Sequence, residues 1–190
     1  MLTVHMDKKW FFAKHDGSKV YLTADEFAPT ENVRHKSHIK KVMFVGAVAR
    51  PRIQKKHTKD SFDGKIAMIP FTESYVTARA SKNRPAGELM LRIINTNCDA
   101  MRKRTIMIGD AINDKRPRKD IGKTIKLQMD NATPHITKDD PEWIAAKSRW
   151  SFNIVLVRQP PQSPDCKVLD LGLWTSIQAL QRKEPIIINA

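Results

Sequence analysis

Two stretches, Leu2-Thr3-Val4-His5-Met6-Asp7 and Ile125-Lys126-Leu127-Gln128-Met129-Asp130, share one design. In each, apolar side chains alternate with polar ones, and an aspartate closes the polar positions. A side-chain period of two belongs to a β-strand with one buried face. If the two strands are neighbours in one sheet, Asp7 and Asp130 come close together across one end of it.

The first strand is expected to run on through Trp10-Phe11-Phe12 to residue 14. Asp16-Gly17-Ser18 signals a turn, with residues 19–23 returning as a hairpin partner. Residues 26–37 are polar, carry Pro29, and read as loop. Residues 41–49, KVMFVGAVA, form the most apolar stretch and read as a buried central strand. Arg50-Pro51-Arg52 ends it, because proline cannot donate to a ladder. Residues 64–72 suggest another strand, and residues 73–88 a polar connection.

Residues 97–114 fit a helix with Met101, Ile106, Ile108 and Ile112 among its apolar positions, although Gly109 works against it. Asp139-Asp140-Pro141-Glu142 starts a second helix, with proline at an early position and acids at the positive end of the dipole; it is expected to reach residue 149. Residues 152–158 read as a strand, and the proline-rich residues 159–164 as a loop. Residues 169–182 read as an amphipathic helix with Leu169, Leu173, Ile177 and Leu180 on one stripe. Strands in a meander, followed by alternating helices and strands, predict a mixed sheet with helices packed on it, an α/β fold.

The chain has 190 residues, which suits one domain spanning residues 1–190 with a real core. Two cysteines, Cys98 and Cys166, exclude a disulfide-dense scaffold and a cysteine-based zinc site. No apolar run approaches the roughly 20 residues of a membrane span, and Met1-Leu2-Thr3-Val4-His5 does not resemble a signal peptide. The expectation is a soluble, intracellular domain with a net charge of +14 and a polyanionic partner, nucleic acid before membrane.

The charge is uneven. Residues 1–130 hold 27 Lys+Arg against 14 Asp+Glu, whereas residues 131–190 hold 7 against 6. Residues 34–59 contain Arg34, Lys36, Lys40, Lys41, Arg50, Arg52, Lys55, Lys56 and Lys59 and no acid. Further clusters are Arg102-Lys103-Arg104 and Lys115-Arg116-Pro117-Arg118-Lys119. Three such clusters in a small domain favour a phosphate-contacting surface over ordinary solvated faces.

Two adjacent carboxylates repel one another unless a cation lies between them, and oxygen ligands select hard divalent ions such as Mg²⁺ or Mn²⁺. A third acid from the last helix would complete such a set, and on spacing alone Asp165 and Asp170 both remain open. So does the plain alternative of a solvated strand end, a turn residue and a helix cap.

The words around these acids are more specific. His5-Met6-Asp7-Lys8-Lys9-Trp10-Phe11 resembles the H-I-D-E-K-W-F segment of mariner-like DNA transposases. Residues 41–52, KVMFVGAVARPR, resemble their K-V-M-F-L-x-A-V-A-R-P-R strand. Ser81-Lys82-Asn83-Arg84-Pro85-Ala86-Gly87 and Gln128-Met129-Asp130-Asn131-Ala132-Thr133-Pro134-His135 are also similar to family segments. Residues 159–172, QPPQSPDCKVLDLG, resemble Q-P-P-N-S-P-D-L-N-V-L-D-L-G. These matches fall in order along nearly the whole chain.

Thirty-nine residues separate Asp130 from Asp170, the spacing of the mariner-like branch with an Asp-Asp-Asp triad. The resemblance therefore places the third ligand on Asp170; the Ser-Pro-Asp landmark aligns Asp165 with a non-ligand position.

The resemblance implies an RNase H-like catalytic core that cleaves DNA at transposon ends and transfers the strands to a target by direct phosphoryl transfer. It implies Asp7, Asp130 and Asp170 as catalytic metal ligands for two Mg²⁺ or Mn²⁺ ions, with Asn131 and His135 as auxiliary candidates. The basic residues of the 34–59 stretch would hold the DNA backbone. Double-stranded DNA is the implied partner, with a homodimer as the working form, no membrane and no small-molecule substrate. The implied location is the nucleus, with the cytoplasm before import.

The chain begins six residues before Asp7, and family members carry their helix-turn-helix region upstream of that point, so a catalytic domain without that region is expected. Lys8 stands where the family has Glu, and Cys166 and Lys167 where it has Leu and Asn. These departures keep an alternative in play: a decayed, catalytically silent module that still holds DNA. An RNase H-type nuclease acting on hybrids has fold analogy alone behind it.

Overall fold

A computed structural model describes residues 2–12, 23, 25, 39–52, 61–82 and 84–183. Its main sheet has five strands: β1 (Leu2–Phe12), β2 (Lys41–Ala49), β3 (Lys65–Pro70), β6 (Thr124–Met129) and β7 (Asn153–Arg158). Their order across the sheet is β3-β2-β1-β6-β7. The first three pair antiparallel, whereas β1 with β6 and β6 with β7 pair parallel. A separate two-stranded sheet joins β4 (Thr72–Val76) to β5 (Leu89–Ile93). The helices are α1 (Cys98–Lys115), α2 (Pro141–Lys147) and α3 (Trp174–Gln181), the last entered through a π-helical turn at Leu169–Leu173. The mixed α/β, RNase H-like class expected from the sequence is what forms.

Alternation on β2 explains how the sheet is covered on both sides. Val45, Ala47 and Ala49 join Val4, Met6, Ile125, Leu127, Met129 and the α1 residues Met101, Ile108 and Ile112 in the main core. Phe44 and Val48 face the other way, onto a smaller core of Phe11, Leu169 and Trp174. Phe11 meets Phe44 and Trp174 edge-on at 5.3 and 5.9 Å, contacts that each add about 0.5–1.5 kcal/mol to plain burial.

The expected helix at 97–114 forms one residue later, because Asn97 is its cap: the side chain accepts from the Ala100 N–H at 2.8 Å. Gly109, unfavourable by propensity, is required by packing. A β-carbon there would lie 2.3 Å from the Trp150 ring. Asp140 caps α2 by accepting from the Trp143 N–H, and Pro141 occupies an early position as expected. That helix ends at Lys147 rather than residue 149.

Three expectations change. Residues 73–88 are not simply a connection, since Thr72–Val76 pairs with Leu89–Ile93. The expected strand at 64–72 is broken at Phe71, whose fully buried ring sits between β3 and β4. In the last helix the buried positions are Leu169 and Trp174, and Leu180 is exposed, so the stripe turns toward Trp174. The expected loop at 26–37 lies outside the described residues, as does the expected hairpin partner at 19–23 apart from Thr23. Among the described residues, no helix is long and apolar enough to cross a membrane.

Candidate active site

The parallel ladder between β1 and β6 runs Leu2↔Ile125, Thr3↔Lys126, Val4↔Leu127 and His5↔Gln128. Asp7 and Asp130 each lie two residues beyond its last rung, on strands side by side at the middle of the sheet. Asp7 pairs with Gly46 across the antiparallel side, and both face the smaller core. Gly46 has a specific reason to be glycine: a β-carbon there would lie 2.6 Å from the Trp174 ring. That close approach lets the buried Trp174 Nε1–H donate to Asp7 Oδ2 at 2.9 Å.

Asp7 is nearly buried, and its carboxyl is pushed above the usual range by that burial. The negative charges of Asp170 and Asp130 push the same way, against the Trp174 hydrogen bond. Asp7 thus lies within the field of both other sequence-identified acids.

Each of the other two acids has a cation against it. Lys8 Nζ lies 3.8 Å from Asp130 Oδ1, and Lys9 Nζ lies 3.2 Å from Asp170 Oδ1. His135 is buried, with Nε2 at 2.6 Å from Asp130 Oδ1. A contact that short to a carboxylate requires a proton between the atoms, so Nε2–H donates. Nδ1 is then bare, in keeping with its having no partner among the described residues. The His135 hydrogen bond, with the Ala132 N–H and Lys8, holds the Asp130 carboxyl well below the ordinary range. Burial pushes both His135 and Lys8 down. Lys8 Nζ also lies 3.1 Å from His135 Nε2, where the donated proton leaves it no acceptor.

The loop after β6 is stapled in place. Arg158, at the end of β7, donates to the carbonyls of Asp130, Ala132, His135 and Ile136 at 3.1–3.4 Å. Asn131 Nδ2 donates to the Gln159 carbonyl at 2.9 Å, tying that loop to the proline segment. Asn131 and His135 thus brace the loop and Asp130. A cleft of about 450 Å³ opens beside Asp130, lined also by Asn131, Gln162, Ser163 and Lys167. Gln162 stands in the left-handed region at φ +53, a conformation that a residue with a β-carbon adopts at a cost.

As a donor set, the three carboxylates suit a hard divalent ion, and the like-charge stress on Asp7 is what a cation relieves. Among the described residues, no three His, Cys, Asp or Glu side chains converge closely enough to hold an ion without adjustment.

The basic clusters divide in two. Lys40, Lys41 and Arg50 are exposed, and Lys41 Nζ sits 4.6 Å over the Trp10 ring. Arg52 is instead turned inward, with both guanidinium ends on the buried Asp120 at 3.2 and 2.7 Å. Arg34, Lys36, Lys55, Lys56 and Lys59 lie outside the described residues. In the other clusters, Arg104 is buried against the Pro70, Thr72 and Ala100 carbonyls, and Arg102 pairs with Asp99 and Asp140. Lys115 donates to the Ile66 carbonyl, and Arg116 is buried beside Asp120. Much of what reads as phosphate-facing charge at 102–104 and 115–116 therefore braces the interior.

Trp174, Lys9 and Arg158 carry contacts that the sequence reading did not assign. The Trp174 indole is buried, and nothing local in the sequence signals that its N–H meets an acid 167 residues away.

No protein-family model and no curated protein matches the chain. Solved structures do. The Mos1 transposase paired-end complex with left transposon end aligns over 94% of this chain at TM-score 0.50 and 19% identity. The Mos1 mariner paired end complex with Mn aligns over 92% at TM-score 0.51 and 19% identity. A pre-cleavage Mos1 transpososome aligns over 94% at TM-score 0.52 and 19% identity. The chain shares its fold with Mos1 mariner transposase. It spans about 41%, 40% and 42% of those solved chains, respectively.

Proposed function

We propose that this chain is a mariner-like transposase catalytic core that cleaves and transfers DNA strands at transposon ends with the help of divalent ions. The observation behind the reading is the parallel β1–β6 pairing that sets Asp7 beside Asp130, within the field of Asp170. Asp7, Asp130 and Asp170 would hold Mg²⁺ or Mn²⁺ as a two-ion set, in the branch with 39 residues between the last two acids. When bound, such ions activate the attacking oxygen and stabilise the leaving one. The chain's own residues do the positioning. Trp174 orients Asp7, His135 and Ala132 N–H orient Asp130, and Arg158 fixes the loop between them.

The proposed substrate is double-stranded DNA, at transposon ends and target, held along its backbone by basic residues of the 34–59 stretch, of which Lys40, Lys41 and Arg50 are exposed. A homodimer acting in the nucleus, after synthesis in the cytoplasm, belongs to the same proposal.

Nicking of supercoiled plasmid in Mn²⁺, wild type beside Asp130→Ala, tests it. Wild type is expected to nick, and the variant to lose at least about a hundredfold. Equal nicking by both would sink the reading.

The lysine contacts to Asp130 and Asp170 favour a second reading, a silent module that only holds DNA. It is distinguished by salt-sensitive DNA binding with no nicking by either protein, both folded.

A further inference from the structure

The two lysines that follow Asp7 point to opposite faces of β1, as successive residues must, yet each ammonium reaches an acid of the cluster. Lys8 Nζ comes to Asp130 and Lys9 Nζ to Asp170. Their settings differ. The Lys8 side chain is 12% exposed, held between Asp130 and His135, whereas Lys9 and Asp170 are each 36% exposed. An exposed pair at about 3 Å is weak and readily opened. A mostly buried ammonium has less water to retreat into, so its charge stays near the acids.

We infer that Lys8 and Lys9 are the cluster's own counter-cations, and that a divalent ion binds in competition with them, chiefly with Lys8. The inference rests on the reading of Asp7, Asp130 and Asp170 as the metal-binding set. The Asp130 contacts are consistent with competition rather than complete blockade. Lys8, His135 and the Ala132 N–H all meet Oδ1, and Oδ2 takes no hydrogen bond among the described residues. The acid therefore keeps an oxygen for an ion, and what opposes entry is the charge of Lys8 a few ångströms away. The same contacts neutralise part of the like-charge stress in the metal-free protein, so removing Lys8 should make the protein depend on metal for stability.

The test is Mn²⁺ binding, read from the loss of the free-ion electron paramagnetic resonance signal, with thermal unfolding measured with and without Mn²⁺. Wild type, Lys8→Met, Lys8→Gln, Lys9→Met and Asp130→Ala are compared. Lys8→Met keeps the buried stem without the charge, and Lys8→Gln guards against a packing failure. Both are expected to bind Mn²⁺ about tenfold or more tightly than wild type and to gain a larger metal-dependent rise in Tm. Lys9→Met is expected to change affinity by less than about threefold.

If wild type binds Mn²⁺, Asp130→Ala abolishes the binding, and neither Lys8 variant binds more tightly, the competition is overturned while the metal-site reading stands. If none of the folded proteins binds Mn²⁺, the metal-site reading itself fails, and the inference with it.

Discussion

Two groups of acids in this molecule meet basic side chains in opposite ways. Asp120 is wholly buried and saturated: Arg52 grips both its oxygens, and Arg116 and Lys123 add contacts at 3.4 and 3.1 Å. Its carboxyl falls to about 2, because those partners outweigh the burial that would raise it. Asp7 and Asp130 lie just beyond the end of the β1–β6 ladder, Asp170 lies in the turn that opens the last helix, and the three divide their partners. Asp7 receives a neutral indole N–H, while burial first, and its acidic neighbours after it, drive its carboxyl the other way. One centre satisfies its charge internally and locks a turn; the other sets a lysine against each of two acids and only a neutral donor on the third. A saturated carboxylate serves structure, whereas carboxylates set close together with few direct partners each are suited to a cation.

The largest expected break in that contrast is Asp120→Ala. It strands the buried Arg116, whose guanidinium also lies 5.4 Å over the Phe62 ring, and releases Arg52. Removing one partner of a buried ion pair costs about 3–5 kcal/mol, and urea unfolding should show a loss of that size. Asp7→Asn, in the other group, should cost less than about 1 kcal/mol in the same assay, because the amide oxygen still accepts from Trp174 and the like-charge stress is gone. A larger loss for Asp7→Asn than for Asp120→Ala would invert the comparison.

Gly46→Ala should fall between them. The new methyl meets the Trp174 ring edge, and overpacking of this kind costs about 1–3 kcal/mol. Tryptophan fluorescence should change with it as the indole leaves Asp7.

The smallest effect is one of pH. The Asp120 carboxyl is lowered in the folded protein, so its contribution is full above the unfolded value of 3.8 and is lost as pH falls toward about 2. The stability gap between wild type and Asp120→Asn should therefore narrow over that window. Asp7 has the opposite sign: its raised carboxyl accepts a proton more readily in the folded state, so acid relieves rather than weakens its surroundings.

Much of this was legible in the sequence, for identifiable reasons. The alternation in residues 2–7 and 125–130 carries both the strands and the placement of two acids at their ends, since a period of two leaves few other arrangements. The β4–β5 pair was not legible: Leu89 and Leu91 are apolar yet 69% exposed, so no buried face writes itself into the pattern. The fate of the basic clusters was hidden as well. A run such as Arg102-Lys103-Arg104 looks uniform along the chain, but helix α1 buries Arg104 and leaves Lys103 outside. Partnerships such as Lys9 with Asp170 and Trp174 with Asp7 join residues more than 160 positions apart, and no local signal encodes them.

That last separation has a consequence for how the molecule is made. At ribosomal rates of about 5–20 residues per second, the indole that steadies Asp7 is synthesised roughly 8–33 seconds after the aspartate itself. Within that interval the antiparallel β1–β2–β3 pairing can form first from neighbouring segments, before the parallel partner β6 and then the closing helix are made. The acidic edge is thus among the last features to mature, and the nascent strand waits with Gly46 presenting bare backbone where a ring will later rest.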